Sequence, residues 1–383
     1  MNRKFGPRRG GIRGRLEITS PNKESFQRKI VLAWPVPKNS KKRVKKAGKT
    51  IADVGSRGMI RWGMNVSSED FQVVENWRAS HGAVLNTAQA WLRRLEKVDL
   101  PVVGQRLKRL DTIVDKLATG RAIDLSTMHD IAGVRAIFRK EDDLLAFREK
   151  MDASRARHSR MHEPEKFDYI SRPKPTGYRG IHDVYKREVA ALSGVPWNGL
   201  KFEVQLRTFV QHAWATAVEI YDSTQLSRFK FTSSSDPAYE QFVIISEIFS
   251  RVHEDQNGCL TDMSDNQLLD RYLELESKSG LLEMFRGLKI AAEYNGLEKN
   301  TILQRQSDGL FVHSFPNFRE AIEAISDIEG RPETINAVLV GSSMPQDIRS
   351  AFQNYFDDTK DFVTLLDDAL DRLSSSSQEE TFW

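Results

Sequence analysis

Hydrophobic and polar residues alternate most regularly at residues 200–208, LKFEVQLRT. A strand with this sequence would have one apolar face, formed by Leu200, Phe202, Val204 and Leu206, and one polar face, formed by Lys201, Glu203, Gln205 and Arg207. Asn198-Gly199 just before it is typical of a tight hairpin, so we expect antiparallel pairing with the run that starts at Tyr178. Tyr178, Gly180 and His182 share a face of that run, and the register decides whether it is the face of Glu203.

The spacing of apolar residues also predicts the neighbouring elements. Before residue 130 we expect one or two helices within 67–98, a strand at 101–108, and a short helix capped by Asp111 and ended by Gly120. After it we expect a buried strand at 133–138, a helix at 141–151, a helix capped by Thr208, and a helix that starts at Asp236-Pro237. The mixture of strands and helices indicates an α/β (α+β) chain.

The pattern changes again near residue 300. A strand (GLFVHSF), a helix (NFREAIEAISDI), a strand (TINAVLVG), a helix (MPQDIRSAFQNYF) and an acidic helix to about Leu373 predict a small C-terminal α/β appendage. We therefore expect four segments: a basic, disordered arm at 1–60, a main domain at 61–235, a helical segment at 236–299, and the appendage at 300–383.

The basic charge is concentrated at the N-terminus. Of the 57 Lys and Arg residues, 16 lie in residues 1–50 with two acidic residues, which leaves 41 basic and 51 acidic residues for the rest of the chain. Gly-rich basic tracts of this kind bind polyanions, so contact with RNA, DNA or the ribosome is one interpretation, and a solubilising tail is the other.

Composition narrows the class of protein. A single cysteine, Cys259, excludes an internal disulfide, and no Cys/His pairs have the spacing of a zinc site. The apolar run at 30–37 is short and contains two prolines, so it predicts neither a membrane span nor a signal peptide. We expect a cytoplasmic protein that does not contact membranes.

Several polar residues stand where chemistry is expected. Asp130, directly before a buried strand, and Glu203 with Gln205 could hold Mg²⁺, or could form ordinary salt bridges on a solvated strand face. A second group, Arg106, Lys108, Thr112 and Lys116, could converge on a polyphosphate or form a basic surface patch. In SRPKPTGYRGIHDVY (171–185), Lys174, Tyr178 and His182 surround a glycine turn, and the tyrosine ring could stack on a base.

Four motifs occur in a specific order. RLKRLDTIVDK, DIAGVR, DYISRPKPTGYRGIH and FEVQLRT, within about residues 100–225, resemble the synthetase domain of RelA/SpoT-type alarmone synthetases. The resemblance implies a nucleotidyltransferase-like mixed β-sheet flanked by helices. It also implies Mg²⁺-dependent transfer of the β,γ-diphosphate of ATP to the 3′-hydroxyl of GDP or GTP.

The resemblance assigns a role to each candidate. Asp130 and Glu203 would hold Mg²⁺, and Glu203, or Gln205 beside it, would help to deprotonate the attacking hydroxyl. Arg106 and Arg135 would sandwich the adenine, and the ATP phosphates would be bound by Lys108, Thr112 and Lys116. Tyr178 would stack on the acceptor base, and Lys174 and His182 would contact its phosphates or sugar.

Departures from the long family members leave alternatives open. The metal ligands of a hydrolase domain are not found before residue 100, so we expect synthesis only. Gly180 stands where the long members have serine, and this glycine resembles the short relatives. Some short relatives are toxins that make adenosine alarmones or modify tRNA 3′ ends. The basic run at 155–166 is an exposed loop or a holder of acceptor phosphates. A nucleotide- or RNA-binding regulator without activity is a further alternative, and the sequence allows a homo-oligomer.

Overall fold

The computed structural model describes residues 34–56, 68–95, 102–108, 110–189, 192–224, 237–293, 300–306, 309–316, 331–332, 334–341 and 360–375, with isolated positions at 320, 324, 327 and 328. The helices are α1 (Lys41–Ser56), α2 (Ser68–Ser80), α3 (Gly82–Leu95), α4 (Leu110–Ala118), α5 (Glu141–Asp152), α6 (Phe209–Thr224), α7 (Pro237–Glu254), α8 (Asp265–Ser279) and α9 (Leu281–Glu293). The strands are β1 (Val102–Leu107), β2 (Ala132–Phe138), β3 (His158–Arg160), β4 (Ile181–Arg187), β5 (Lys201–Thr208), β6 (Asn300–Gln306), β7 (Gly309–Ser314) and β8 (Thr334–Gly341).

A five-stranded mixed sheet with the order β1-β2-β5-β4-β3 forms the centre of the fold. Only β2 and β5 run parallel, and the other neighbouring pairs are antiparallel. The expected antiparallel pairing of β4 with β5 is confirmed, with His182 opposite Gln205. The predicted mixed sheet flanked by helices is thus confirmed.

The two faces of the sheet differ as the alternation predicts. Phe202, Val204 and Leu206 are fully buried, on the side where α3 and α5 pack against β2 and β5. The opposite face keeps its polar side chains partly accessible along most of β5. Apolar burial on one side therefore fixes which side chains are left for chemistry on the other.

Helices form a second apolar core. Residues from α6, α7, α8 and α9 bury one cluster together with the helical residues 360–375, in which Phe242, Phe249, Phe285 and Phe362 pack ring against ring. Residues 360–375 therefore pack against the helices of the middle segment. The predicted segment boundaries themselves stay a prediction.

The C-terminal strands form a separate antiparallel sheet with the order β7-β6-β8. The strands GLFVHSF and TINAVLVG were expected, whereas β6 was not. Ile302 on β6 is fully buried and packs with Ile328. Most of the helix predicted over NFREAIEAISDI, and all of that predicted over MPQDIRSAFQNYF, lies outside the described residues.

Several local expectations are wrong. The β4–β5 connection is not a tight hairpin, because residues 188–200 intervene and contain a 3-10 helix, Leu192–Trp197. Helix α4 begins at Leu110, so Asp111 is its second residue and not its cap. Part of the predicted disordered arm is the regular helix α1, which buries Val44, Ala47 and Ile51. For the β4–β5 connection and for α1, packing between segments distant in sequence decides the local structure.

Thr208 and Pro237 behave as expected at helix starts. The Thr208 hydroxyl accepts a hydrogen bond from the backbone N–H of Gln211 at 3.1 Å, and Pro237 is the first residue of α7. In the described ranges, each helix is too short or too polar to cross a membrane.

Candidate active site

Two carboxylates are brought together by the parallel pairing of β2 with β5. Glu203 lies opposite Gly133, and Asp130 precedes that glycine by three residues. The ammonium of Lys116 lowers the pKa of both carboxyl groups, so both lie within its electrostatic reach. Burial lowers the pKa of His129, and the charges of Asp130 and Glu203 act on that pKa in the opposite direction.

Asp130 is held by two lysines. Its Oδ2 accepts hydrogen bonds from Lys108 Nζ at 2.9 Å and from Lys116 Nζ at 2.8 Å. Burial would raise the pKa of Asp130, but the two ammonium groups outweigh it and lower that pKa. The second oxygen, Oδ1, is buried and has no hydrogen-bond partner among the described residues.

Glu203 is held by a histidine and an amide. His182 Nδ1 donates to its Oε1 at 2.8 Å, and Gln205 Nε2 donates to its Oε2 at 2.7 Å. Burial alone would raise the pKa of Glu203, but His182 and these hydrogen bonds lower it to about 2. The Gln205 amide thus donates a hydrogen bond that orients Glu203. A neutral amide cannot act as a base, so Gln205 does not deprotonate the attacking hydroxyl.

His182 joins Glu203 to Tyr178. Burial alone would lower the pKa of His182, but the Tyr178 oxygen and the Glu203 carboxylate outweigh it and raise that pKa to about 9. His182 Nε2 hydrogen-bonds the Tyr178 hydroxyl. The histidine is therefore an imidazolium at neutral pH, fixed at both ring nitrogens.

Arg207 holds the Tyr178 hydroxyl from the other side. Its Nη2 and Nε donate to that oxygen at 2.8 and 3.2 Å, and the guanidinium lies 5.2 Å from the ring centroid. Burial alone would raise the pKa of Tyr178, but Arg207 and His182 lower it. Arg207 is only 4% exposed although the strand pattern placed it on the polar face.

Lys174 lies over two aromatic rings. Its Nζ is 4.0 Å from the ring centroid of Tyr169 and 5.1 Å from that of Tyr178. Tyr178 also makes edge contacts with Tyr169 and Trp214. The predicted acceptor residues Lys174, Tyr178 and His182 therefore form one wall, next to Glu203.

The predicted adenine and phosphate residues lie across β1, β2 and α4. Arg106 and Arg135 occupy the same sheet face, since Gly104 pairs with Arg135 and Arg106 with Gly133. Arg106 is half exposed, while Arg135 approaches His212 Nδ1 at 3.3 Å, and burial lowers the pKa of Arg135 to about 10. Thr112 is partly exposed on α4, one turn before Lys116.

Three side chains of the site were not predicted. Arg207, His212 and Tyr169 support Tyr178, Arg135 and Lys174 respectively. Arg207 belongs to the same alternating strand as Glu203, and this could have identified it as a candidate. His212 and Tyr169 have no periodic signal, because the tertiary fold alone brings them to their partners.

The run at 155–166 is only partly an exposed loop. Residues 158–160 form β3, where His158 packs against Trp91 and Phe202, and Arg160 bonds the buried carboxylate of Asp183 at 3.1 Å. Arg155 and Arg157 stay exposed. The expected cationic loop is therefore reduced to a few side chains, and the rest completes the sheet edge.

The donor set suits a hard divalent cation. Asp130 and Glu203 are both ionised at neutral pH, and Asp130 Oδ1 has no hydrogen-bond partner within the described part of the chain. Among the residues with described side chains, no group of three or more His, Cys, Asp or Glu residues gathers as in a closed metal cage. Mg²⁺ typically takes one or two carboxylates and completes its shell with phosphate oxygens and water, and these two residues fit that pattern.

Comparisons with known proteins find similarity in the part of the chain that carries these residues. The family described as "Region found in RelA / SpoT proteins" matches residues 105–223. GTP pyrophosphokinase YwaC of Bacillus subtilis is 31% identical over 117 residues, which are 29% of this chain and 52% of that protein. The probable chloroplastic GTP diphosphokinase RSH3 of rice is 35% identical over 116 residues, 29% of this chain and 14% of that protein.

Solved structures are similar over about half of the chain. Small alarmone synthetase 1 of B. subtilis, bound to its product pppGpp, is 23% identical with a TM-score of 0.40, over 47% of this chain and 93% of that one. A GTP pyrophosphokinase family protein of Streptococcus pneumoniae is 19% identical with a TM-score of 0.38, over 54% of this chain and 98% of that one.

The matched region coincides with the site. The chain spans about half the length of YwaC, yet residues 105–223 include every side chain assigned above to the two carboxylates and the acceptor wall. The chain therefore carries a domain of the RelA/SpoT synthetase type.

Proposed function

We propose that this chain transfers the β,γ-diphosphate of ATP to the 3′-hydroxyl of GDP or GTP. The observation that carries the proposal is the placement of an anion-binding lysine pair and an aromatic wall on either side of two ionised carboxylates. Relatives named GTP pyrophosphokinase or GTP diphosphokinase support the reaction class.

The donor would bind on the side of β1 and α4. Lys108 and Lys116 present their ammonium groups beside Asp130, where the phosphates of ATP would find two cations. Arg106 and Arg135, on the same sheet face, would hold the adenine between guanidinium planes. Thr112 would add a hydroxyl donor.

The acceptor would bind against Tyr178. Its base would stack on the ring, and Lys174 would attract its phosphates. The 3′-oxygen would form a bond to the β-phosphorus of ATP, the bond from that phosphorus to the oxygen of the α-phosphate would break, and AMP would leave. Because no covalent enzyme intermediate is needed, catalysis would depend on in-line positioning and charge neutralisation.

Glu203 would receive the proton of the attacking hydroxyl. Its pKa of about 2 makes it a weak base in the free enzyme, and both of its oxygens accept hydrogen bonds from side chains. Each oxygen accepts one of these bonds, and a carboxylate has about four acceptor positions, so a lone pair remains for the proton of the acceptor hydroxyl. His182 would then keep the carboxylate oriented.

Mg²⁺, when bound by Asp130 and Glu203, would neutralise charge on the transferred diphosphate. Removal of divalent cations with EDTA should abolish transfer, and Mg²⁺ should restore it. Full activity in EDTA would contradict the assignment of a metal to this pair.

A transfer assay with ATP labelled in the γ-phosphate tests the proposal. GDP, GTP, AMP, ADP and deacylated tRNA are offered in turn, and label is expected on GDP and GTP. Label on tRNA alone, or on adenosine nucleotides alone, would mean that the acceptor is not a guanosine nucleotide. Label on none of them would indicate a binding protein.

Glu203→Gln and Asp130→Asn should each lower transfer at least a hundredfold with unchanged circular dichroism, whereas Glu188→Gln, at an exposed strand end, should not.

A further inference from the structure

Helix α1 has a strongly basic exposed face. Its exposed lysines are Lys41, Lys42, Lys45, Lys46 and Lys49, which we call the lysine face. The arginine in the same stretch, Arg43, turns inward and pairs with Glu69 and Asp70. The charge of Arg43 is therefore neutralised by its acidic partners, whereas the lysine face is exposed to solvent.

The charges on this face oppose helix stability. Two lysines stand in the first turn, which has no acidic residue, although the N-terminus of a helix favours negative charge. Lys41 and Lys45 are four residues apart, as are Lys42 and Lys46, and lysines at this spacing repel each other. An anion bound along the face would remove both unfavourable terms.

The protein supplies little compensation. Lys45 lies 3.4 Å from Asp124, an exposed contact on the lysine side. Within the described ranges, Lys41, Lys42, Lys46 and Lys49 have no acidic side chain at ion-pair distance. Four exposed cations on about two turns of helix therefore have no countercharge from the part of the chain that the structure describes.

We propose that the lysine face binds the phosphodiester backbone of a single-stranded nucleic acid. Lysines four residues apart are about 6 Å apart along the helix axis, so successive ammonium groups can contact successive phosphates. The preceding residues 1–33 continue the charge, with nine Lys or Arg residues against two acidic residues. A nucleic acid strand, unlike a single small anion, offers a phosphate to each lysine of the face.

A membrane surface fits this helix less well. Amphipathic helices bind bilayers by inserting an apolar face, but Val44, Ala47 and Ile51 are already buried against the protein. Gly48 packs so closely that a Cβ there would lie 2.7 Å from the Leu125 Cβ. The apolar face of α1 is therefore committed, and only the charged face is available.

Helix α1 packs against α4, which carries Thr112 and Lys116, whereas its lysine face is exposed to solvent. We therefore treat the lysine face as a binding surface separate from the residues that we assign to the phosphates of ATP. This binding does not depend on which acceptor the site uses.

Fluorescence anisotropy with a labelled 20-nucleotide poly(U) RNA tests the proposal in the full chain. The variant carries Lys→Gln at 41, 42, 46 and 49, and the control carries Gln at the exposed Arg93, Arg94, Arg139 and Lys360, so both lose four positive charges. The lysine-face variant should bind at least tenfold more weakly at 0.1 M salt. The slope of log K against log salt should decrease by about 2 to 3, as expected for four lost contacts to a single strand.

Thermal unfolding is the control that shows whether the lysine-face variant is folded. Because the substitutions remove repulsion, the variant should melt no lower than the wild type. Equal losses in the variant and the control, or an unchanged affinity and salt slope in the variant, would overturn the proposal. So would binding to anionic phospholipid vesicles without binding to RNA or to oligo(dT).

Discussion

At the residue scale, the charged His182 connects the carboxylate of Glu203 with the hydroxyl of Tyr178. It donates to Glu203 on one side and contacts Tyr178 on the other, with the pKa raised from 6.5 to about 9. A group whose pKa is raised by folding stabilises the folded state fully below its unfolded pKa, and the contribution disappears as the pH rises through the folded pKa. The ion pair with Glu203 is therefore present at neutral pH and is lost near pH 9.

We expect the stability of the wild-type protein to urea to fall steadily between about pH 6.5 and pH 9, the unfolded and folded pKa of His182, and to level off above that range. His182→Gln should lack this step, because the amide does not titrate in that range. The acceptor KM reports the folded protein, so it should rise as the pH passes about 9 in the wild type only, while the ATP KM changes little. An identical pH profile in the variant would assign the titration to another group.

A second expectation concerns the hydroxyl of Tyr178. Tyr178→Phe removes the oxygen that Arg207 and His182 share, and leaves a buried guanidinium without that acceptor. The cost should be about 3 kcal/mol of unfolding free energy, because an unsatisfied buried charge is worse than an unsatisfied neutral group. Urea unfolding measures it.

Tyr169→Phe is the matched control for this loss, since it removes the hydroxyl of the neighbouring ring without touching Arg207. It should cost less than about 1 kcal/mol. Equal costs for the two variants would show that Arg207 does not depend on Tyr178.

The sequence predicts the polar face of β5 but not the burial of each residue on it. Alternation places Glu203, Gln205 and Arg207 together, and the structure agrees. It does not reveal that Arg207 is buried beneath Tyr178, because that depends on how the glycine turn and α6 cover the strand end. Period-two patterns report the side of a sheet, and coverage of that side is a long-range property.

At the scale of elements, the glycine turn before β4 is held by helices from outside the sheet. Gly177 has φ +81°, and a Cβ there would lie 2.9 Å from the Ser246 Cβ and 3.2 Å from a Trp214 ring carbon. Ser246 Oγ also donates to the Gly177 carbonyl at 2.5 Å. The backbone conformation and the close packing both require glycine.

Gly177→Ala should therefore cost more than strain alone. Left-handed backbone costs an alanine about 1 to 2 kcal/mol, and the forced overlap should add about 1 to 3 kcal/mol. Gly120→Ala is the control, because Gly120 has φ +71° with nothing within 4 Å of the added carbon. Urea unfolding should rank Gly177→Ala clearly below Gly120→Ala, and equal losses would mean that the turn has room to relax.

Sequence patterns predicted the strands and helices of this region better than their connections. Asn198-Gly199 indicated a tight hairpin, and Gly199 does adopt φ +77°. The chain nevertheless makes a longer excursion, because Trp197 is buried and donates its Nε1–H to the Pro35 carbonyl at 2.7 Å. A contact with a segment more than 150 residues away is invisible to local turn chemistry.

At the scale of the whole molecule, a buried charged network joins the sheet to the helical layer. Arg179 follows Tyr178 directly and is 3% exposed, and it bonds Glu254 at the end of α7 and Gln256 Oε1 at 2.8 Å. Glu254 also accepts from Thr208 Oγ1 at 2.5 Å and from Gln211 Nε2 at 3.1 Å. The end of α7 thus fixes the residue next to the acceptor wall.

Glu254→Ala should destabilise the protein by about 3 kcal/mol, because it removes the bonded carboxylate and leaves the buried Arg179 with only the more distant Glu141, at 3.9 Å, as a countercharge. Glu240→Ala on the same helix removes an exposed pair with Arg271 and should cost less than about 1 kcal/mol. Under conditions where both variants are folded, Glu254→Ala should raise the acceptor KM more than the ATP KM, because Arg179 adjoins Tyr178 and not Lys108 or Lys116. Equal effects on both KM values would mean that the network supports the fold as a whole, and an unchanged stability would mean that α7 does not hold the acceptor wall.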